Sequence, residues 1–327
     1  MEGVPLFDPQ RFAMRLVVFA LTTIALAPGV AREAHAGTYN LAASWPAVGT
    51  KELVSDGTTL YALDPTTGVV THFDASGAAI GSFTVTADPL RPAMTLAGFD
   101  VSGNLYVAHP ADGGPYYGST VDLYSSVGAV IDPPRSSPWP IDAVDHEGFM
   151  WATVRDEYNE KDFFKISPQG DSLGVLDGLG RYGRVYGVSW DDHLFANRTA
   201  SGGCPTSTCG WFGSAGGSGG SVRGEDCGNA SIYLPGWATT DGQNGAFISA
   251  LRTEAYQYHY SIDRYGPGAG HLLARFETTT QADMVASDSQ GAVYLLYRDP
   301  GKIEKWVPST ETPTVASSWG ALKVRWR

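Results

Sequence analysis

Short apolar runs alternate with turn-forming residues along most of the chain, and six segments repeat one pattern. An apolar run leads into a turn that contains Asp, and a second run rich in aromatic and β-branched residues follows. The segments read LVSDGTTLYALD, GFDVSGNLYVAH, AVDHEGFMWATVR, GVSWDDHLFANR, TTDGQNGAFISALR and VASDSQGAVYLLYR. Each predicts two strands and a tight turn, because Asp and Gly tolerate left-handed backbone angles and aromatic or β-branched residues favour half-buried strands.

The six segments recur at an almost constant spacing. Their turn aspartates stand 44, 45, 46, 50 and 47 residues apart. Those anchors are Asp56, Asp100, Asp145, Asp191, Asp241 and Asp288. A period near 45 residues is typical of four-stranded propeller blades.

A second mark repeats downstream of each aspartate. A short apolar strand is followed by a glycine turn and then by another strand, such as AAIGSF in the first unit and TVASSW in the last. The turn glycines are Gly77, Gly128, Gly170, Gly216 and Gly266, and Thr310 takes that place in the sixth unit. Each unit therefore predicts four strands, which we name a to d in chain order.

One four-stranded sheet cannot bury both of its apolar faces, whereas sheets arranged radially can. We therefore predict an all-β fold, a six-bladed β-propeller of four-stranded antiparallel blades, as one domain over residues 37–327. TYNLAASWPA (38–47) resembles PTVASSWGA (313–321), so a d-type strand from either end of the chain could close the ring. A seven-bladed ring that uses the spare strand, and a set of unrelated hairpins, are the alternatives.

These marks resemble the NHL-repeat family of six-bladed propellers and its gluconolactonase-like and streptogramin-lyase-like relatives. The resemblance covers roughly residues 38–320 and is clearest in the D-x-x-G-N-L-Y-V-A core at Asp100–Ala108. It weakens in the fourth and fifth units. It implies an architecture rather than an activity, since propellers host many unrelated functions.

The first 36 residues predict a signal peptide. Met14 and Arg15 precede the apolar stretch Leu16–Ala27, and Ala34-His35-Ala36 offers small residues for cleavage after Ala36. Twelve residues are too few to span a bilayer, which takes about 20. The true start is either residue 1 or Met14, and an uncleaved anchor is the alternative. We expect a secreted or extracytoplasmic protein, in the periplasm or at the cell surface, with no membrane span after cleavage.

The formal net charge of −12 narrows the class of partner. Residues 1–36 carry three basic and three acidic groups, so their removal leaves that charge unchanged. Phosphate backbones repel so acidic a chain, and we expect no nucleic-acid partner. A protein, a glycan or a small anionic ligand remains as the expected partner of a monomer.

Several candidate binding residues fall at the end of strand b or in the b–c loops. Guanidinium groups can bind carboxylate, sulfate or phosphate with two hydrogen bonds, and rim tyrosines suit contact with protein or sugar. The candidates are Arg155, Arg198, Arg252, Arg298, His109, Tyr116, Tyr117 and Tyr158. The alternative is that these arginines are solvated or paired, because Asp156 and Asp299 adjoin two of them.

A second candidate set lies where the inner strands begin: Arg91, Asp142, Arg184 and Asp283. The gluconolactonase-like resemblance implies a divalent metal such as calcium in the central channel, and Asp142 and Asp283 are the candidate ligands. The expected Glu-Gly-Pro stretch and Asn pair are missing. The lyase-like resemblance implies a histidine, for which His109 and His146 are the candidates. No cofactor is otherwise predicted.

Two functions follow from the sequence. The chain is predicted to be a binding or interaction scaffold that uses its loop face, since no nucleophile-elbow, His-Glu-x-x-His or phosphate-loop motif occurs. The alternative is a metal-assisted hydrolase of the lactonase type, or a lyase, with its site in the central channel.

The three cysteines give the first testable prediction. Cys227 is expected to pair with Cys204 or Cys209, with a local Cys204–Cys209 pair and a zinc site as alternatives. A bridge to Cys227 closes a loop of about 20 residues and stabilises the fold by roughly 3 kcal/mol. Titration of free thiols in denaturant without reductant should find one thiol, and three would exclude a disulfide.

Overall fold

The computed structural model describes the chain from residue 39 to residue 309, with gaps. The described ranges are 39–86, 88, 90–91, 93–111, 118–155, 161–176, 182–188, 193–199, 208–214, 221–222, 232–241, 245–254, 257–266 and 272–309. The predicted signal peptide lies outside these ranges. Within them, no helix has the length and apolar character needed to cross a membrane.

The described residues form twenty-four strands in six sheets. The first two sheets contain β2 (Glu52–Ser55), β3 (Leu60–Asp64), β4 (Val69–Phe73), β5 (Ala79–Thr84), and β6 (Thr95–Phe99), β7 (Leu105–Pro110), β8 (Ser119–Tyr124), β9 (Val130–Ser137). The third and fourth contain β10 (Ile141–Val144), β11 (Met150–Arg155), β12 (Lys161–Ile166), β13 (Ser172–Leu176), and β14 (Tyr182–Val188), β15 (His193–Thr199), β16 (Thr208–Ser214), β17 (Ser221–Val222). The fifth and sixth contain β18 (Ile232–Thr240), β19 (Ala246–Glu254), β20 (Gln257–Tyr265), β21 (Leu272–Thr278), and β22 (Met284–Ser287), β23 (Val293–Tyr297), β24 (Lys302–Pro308), β1 (Tyr39–Pro46).

Each sheet is antiparallel, and strand a of its unit is the innermost strand. The inner strands β2, β6, β10, β14, β18 and β22 contact one another in that order, and β22 returns to β2. Sheets joined in a closed cycle through their inner strands make a β-propeller of four-stranded blades. The all-β propeller predicted from the repeat is therefore confirmed.

The predicted number of six blades is wrong, because the described residues form five complete four-stranded blades. Five sheets have four strands of at least four residues each, but the fourth sheet ends in the two-residue strand β17. Its sequence explains the difference, because residues 214–229 read SAGGSGGSVRGEDCGN and offer almost no apolar side chains to an outer strand. Glycine also loses more conformational freedom than other residues when it is fixed in a strand.

The outer strand of the sixth sheet also differs from the expectation. The repeat assigned TVASSW to this position, but the N-terminal strand β1 occupies it and pairs with β24 from Tyr39↔Pro308 to Pro46↔Lys302. Tyr39 stacks on Phe276 of the fifth sheet at 4.9 Å between ring centroids. The sixth sheet is thus completed by pairing between β1 and β24, which lie near the two ends of the described chain. The TVASSW segment lies outside the described residues.

Apolar side chains fill the spaces between neighbouring sheets. The interface of the first and second sheets completely buries four side chains, each 0% exposed: Leu63, Val70, Leu105 and Val107. Similar clusters join the second sheet to the third, the fifth to the sixth and the sixth to the first. The five sheets that meet in these clusters therefore depend on their neighbours for burial, as the repeat predicts.

The repeated c–d glycine has a packing role between blades. The turn that contains Gly77 lies on Trp45 of β1, and the turn that contains Gly128 lies on Phe83 of β5. Both glycines have positive φ, 86° and 85°. A Cβ atom on Gly77 would lie 2.5–2.8 Å from three indole atoms of Trp45. Each turn therefore rests on the outer strand of the preceding sheet, where a side chain does not fit.

Replacing Gly77 with Ala should destabilise the fold more than the same change at Gly103. Gly103 has a similar φ of 77°, but a Cβ there meets nothing within 4 Å. Gly103→Ala should cost about 1 kcal/mol through backbone strain. Gly77→Ala should add about 1–3 kcal/mol for the clash with Trp45. Urea unfolding of both variants measures the difference, and equal losses would show that the contact with Trp45 is unimportant.

His72 is a titratable group within the core between the first two sheets. It is 8% exposed and lies between the rings of Tyr61 and Phe83, with centroid distances of 4.6 Å and 5.2 Å. Its Nε2 has no hydrogen-bond partner among the described residues. Burial lowers the pKa of His72, while the charge of Asp56 acts weakly in the opposite direction.

The buried imidazole predicts acid sensitivity. The unfolded chain takes up a proton near pH 6.5, whereas the folded chain resists it until lower pH, so stability falls as pH decreases below 6.5 and does not change above it for this group. The slope is at most about 1.4 kcal/mol per pH unit. His72→Phe should reduce the loss of stability between pH 7.5 and pH 5 in urea unfolding. An unchanged pH dependence would contradict the assignment.

Candidate functional site

A central cavity of about 360 Å³ lies along the axis of the ring. Residues from all six inner strands and from several a–b turns line this cavity. One lining residue from each inner strand is Leu53, Leu96, Asp142, Gly187, Trp237 and Met284. The cavity reaches the a–b turn face, because Asp56, Asp100, His146 and Asp288 also line it.

The turn aspartates of the repeat hold the a–b turns together. In each of four turns, one carboxylate oxygen accepts backbone N–H groups of the turn, and the other accepts a bond from an aromatic residue on strand b. The aromatic bonds are Tyr61–Asp56 at 3.2 Å, Tyr106–Asp100 at 3.4 Å, Trp151–Asp145 at 3.2 Å and Tyr294–Asp288 at 3.1 Å. Burial, aided by the Asp100 charge, raises the pKa of Tyr106 to about 12. These carboxylates are therefore structural hydrogen-bond acceptors.

The fifth a–b turn uses an arginine in place of the aromatic residue. Asp241 is 1% exposed, accepts the backbone N–H of Gly245 at 2.7 Å and receives the Arg264 guanidinium at 2.9 Å. Arg264 also lies 5.5 Å from the centroid of the Phe247 ring. A fully buried carboxylate needs such a charged partner, because an unpaired one would be strongly destabilising.

Asp142 is the one predicted metal ligand that lines the cavity. Its Oδ2 accepts the Thr153 hydroxyl at 2.6 Å and the Val185 backbone N–H at 3.3 Å. Thr153 belongs to the same sheet and Val185 to the next. The carboxylate thus links the inner strands of two neighbouring sheets.

The two predicted metal ligands do not form a site together. Asp283 accepts the Arg298 backbone N–H at 2.8 Å and is not among the residues that line the cavity. Among the described residues, no group of three or more His, Cys, Asp or Glu side chains is placed to hold a metal ion. Both carboxylates bind donors of the protein itself, and the metal implied by the resemblance stays a prediction.

The predicted ring of arginines is only partly described, and its two described members bind protein groups. Arg252 is 7% exposed and contacts Ser261 at 3.2 Å and Glu277 at 3.3 Å. Arg298 donates to the Lys51 carbonyl at 2.8 Å. For Arg155 and Arg198 the structure gives the backbone of β11 and β15 alone. The predicted anion site therefore stays a prediction, with two of its four arginines bound to protein groups.

His109 lies at the b–c end of the second sheet and away from the cavity lining. It is fully buried, and its Nε2 is 3.1 Å from Asp122. Its Nδ1 has no partner within the described part of the chain. His146 lies in the a–b turn of the third sheet, lines the cavity and accepts the Val101 backbone N–H through its own carbonyl at 2.7 Å. The two histidines thus lie at opposite ends of strand b.

Several predicted residues lie outside what the structure describes. Tyr116, Tyr117, Tyr158, Cys204 and Cys227 fall in undescribed ranges, and for Cys209 only the backbone of β16 is given. The b–c loop tyrosines and the disulfide therefore remain predictions.

Sequence reasoning missed the polar residues of the cavity. Ser55, Thr240 and Ser287 line it, and each directly precedes the turn aspartate of its unit. The repeat period could have identified these three residues, because each is the last residue of strand a in its unit. Trp237 was harder to place, since a register shift between Pro235 and Ala238 interrupts the alternation of β18.

Comparison with known proteins finds similar folds. Virginiamycin B lyase from Staphylococcus aureus is 11% identical, with a TM-score of 0.49 over 83% of this chain and 100% of that one. A gluconolactonase from Xanthomonas campestris is 13% identical, with a TM-score of 0.49 over 84% and 98%. The WD40 propeller domain of Doa1 is 8% identical, with a TM-score of 0.48 over 84% and 98%.

No protein-family model and no curated protein sequence matches the chain. The NHL-repeat resemblance therefore rests on the residues quoted above. All three structures have TM-scores under 0.5 to this chain, so they carry no argument about its fold or its activity. The chain is, on its own strand pairing, a β-propeller of four-stranded blades.

Proposed function

We propose that the protein is an exported binding protein that holds a small neutral, polyhydroxylated ligand, such as a sugar, in its central cavity. In this proposal the abbreviated fourth sheet acts as the sixth blade and completes the ring. The inner strands then meet in one cycle of six, and residues from each of them surround the ligand.

The observation that carries the proposal is that the carboxylates of the turns around the cavity are already hydrogen-bonded within the protein. Its volume of about 360 Å³ lies within the range of small-molecule sites. The carboxylates of Asp56, Asp100 and Asp288 accept bonds from their own turns, so they maintain the cavity wall. Such groups are poorly suited to act as general acids or bases, and this favours binding over catalysis.

The lining also favours one class among the expected ligands. Ser55 and Thr239 offer hydroxyl groups, and Trp237 offers an aromatic ring, which together suit a sugar. The three turn carboxylates near the a–b face, and the net charge of −12, oppose a small anion. Among the expected partners, a glycan therefore suits the cavity better than a small anionic ligand.

Two other expectations stay open to test. The b–c loop face, with Tyr116, Tyr117 and Tyr158, is a second surface by which the scaffold would contact a protein or glycan. The enzymatic alternative, a lactonase or lyase, uses the same central cavity, in which Asp142 and His146 take part in the lining.

Ligand binding should be blocked by a side chain placed inside the cavity. Gly187 lines it, and a Cβ there would make ordinary contact with Thr240 at 3.5 Å, so Gly187→Val should fold while its methyl groups fill ligand space. When the wild type is titrated with each monosaccharide of a panel, its tryptophan fluorescence should change and reach saturation. Gly187→Val should weaken that binding at least about tenfold, by loss of roughly 1.4 kcal/mol or more.

The matched control is Gly81→Val, the same substitution on the exposed outer strand β5, where the nearest atom to a Cβ is 3.8 Å away. It should bind like the wild type. No saturable change with any sugar, or equal weakening in both variants, would refute the cavity as the binding site. A divalent metal retained after dialysis, together with lactone turnover lost in Asp142→Ala, would replace binding with the enzymatic alternative.

A further inference from the structure

Four of the six inner strands are interrupted by a β-bulge, where an extra residue enters one strand of a pair. The register shifts in β6, β10, β14 and β18, whereas β2 and β22 pair with β3 and β23 without a shift. The extra residues of β6 and β10 are Ala97 and Asp142, and both line the central cavity. Bulges turn side chains to a new direction and are frequent beside functional sites.

The bulge of β18 is formed by Gly236 and Trp237. These two residues together face one residue of β19, Ser249, because the register shifts between Pro235 and Ala238. Gly236 carries no side chain. The bulge therefore redirects one large side chain, that of Trp237.

The extra residue places the indole on the side of the fifth sheet that faces the sixth. With uninterrupted pairing, Trp237 would lie opposite Ile248 and on the same face of the sheet. Phe247 points to the other face, because neighbouring side chains of a strand alternate, and it packs in the cluster between the fifth and sixth sheets. In the structure Ala238 lies opposite Ile248 instead, and Trp237 packs against the Phe247 cluster.

The indole consequently lies along the inner strand of the sixth sheet and beside the cavity. Trp237 packs against the cluster between the fifth and sixth sheets, and also against the cluster between the sixth and first. Met284 and Val285 of β22 belong to these two clusters, and both line the cavity with Trp237. Trp237 is only half-buried. Part of the ring is therefore held by packing, and part faces the cavity.

Ser249 fixes this bulge to the neighbouring sheet. Its side chain is 0% exposed, and its hydroxyl accepts the Trp237 backbone N–H at 3.4 Å and donates to the Ala282 carbonyl at 3.1 Å. A buried N–H group without a partner would be destabilising, so this hydroxyl stabilises the bulged conformation. Ser249 is not among the residues that line the cavity, and it acts on a ligand only through Trp237.

We propose that Trp237 determines which sugar the cavity accepts and that Ser249 positions it. This inference rests on the proposed function and names the ligand class, a pyranose with equatorial hydroxyl groups, such as glucose or xylose. C–H groups cover both faces of such a ring, so one face can stack on the indole. Its edge hydroxyls then meet the hydroxyl groups of Ser55 and Thr239. An open-chain polyol offers hydroxyl groups without a rigid apolar face.

Calorimetric titration with glucose and with sorbitol, its open-chain alcohol, tests the selectivity. The wild type should bind glucose at least about tenfold more tightly than sorbitol. Trp237→Leu keeps an apolar side chain against both clusters but removes the flat ring, so it should weaken glucose binding and abolish the preference. Trp237→Phe should retain part of the preference.

The outcomes separate this inference from the proposed function. Equal affinity for glucose and sorbitol, or a preference that Trp237→Leu leaves unchanged, would overturn the inference while sugar binding stands. The inference also fails alone if neither ligand binds but another monosaccharide does. If no sugar binds, the proposed function fails with it.

Nuclear magnetic resonance of isotope-labelled indole nitrogens tests the positioning role without a ligand. The Trp237 Nε1–H resonance is identified by its absence from Trp237→Phe. Ser249→Ala should shift this resonance and reduce the preference for glucose at least about threefold, because the bulge loses its link to the sixth sheet. Glucose should also shift the resonance in the wild type, which tests the stacking if Trp237→Leu does not fold.

Ser137→Ala is the matched control. Ser137 is 4% exposed, and its hydroxyl also accepts a tryptophan backbone N–H, from Trp139 at 3.1 Å, but neither residue lines the cavity. This variant should leave the Trp237 resonance and the preference for glucose unchanged. A Trp237 resonance that Ser249→Ala does not move, or that Ser137→Ala moves equally, would contradict the positioning role.

Discussion

The structure depends on one constraint, which is that each four-stranded sheet has two faces to bury and only neighbouring sheets to bury them against. Val107 on one face of the second sheet and Ala108 on the other are both fully buried, each against a different neighbour. A linear row of such sheets would leave its two end faces in water. Closure of the ring removes both ends, so the pairing of β1 with β24 supports every blade indirectly.

The repeated residues of the sequence act at the contacts between blades. The turn aspartates bind the polar tips of aromatic residues that are otherwise buried, and the c–d glycines let each turn rest on the preceding sheet. Tyr106 shows that an a–b turn also packs between sheets, because its hydroxyl bonds Asp100 while its tip lies against Gly148 in the a–b turn of the next sheet. Positions that look like simple turn formers are therefore constrained by packing between sheets.

This use of the repeat also shapes the candidate site. The inner strands bring their turns around one cavity, but the carboxylates there are already bound by the backbone and by tyrosines. Hydroxyl groups, apolar side chains and the Trp237 ring make up much of the rest of the lining. This lining is the basis of the proposal that the cavity binds a neutral polar molecule.

The sequence by itself determined the blade period, strands a to c of each unit and the two turn signals, because local hydrophobic alternation and turn chemistry act over a few residues. It did not reveal that Arg252 and Arg298 bind groups from other strands, or that Asp142 joins two sheets. Only the tertiary structure decided those pairings, which side chains line the cavity, and which end of the chain supplies the last strand. Such pairings depend on contacts between residues far apart in the sequence, such as Tyr39 and Pro308. No local sequence pattern records contacts of this kind.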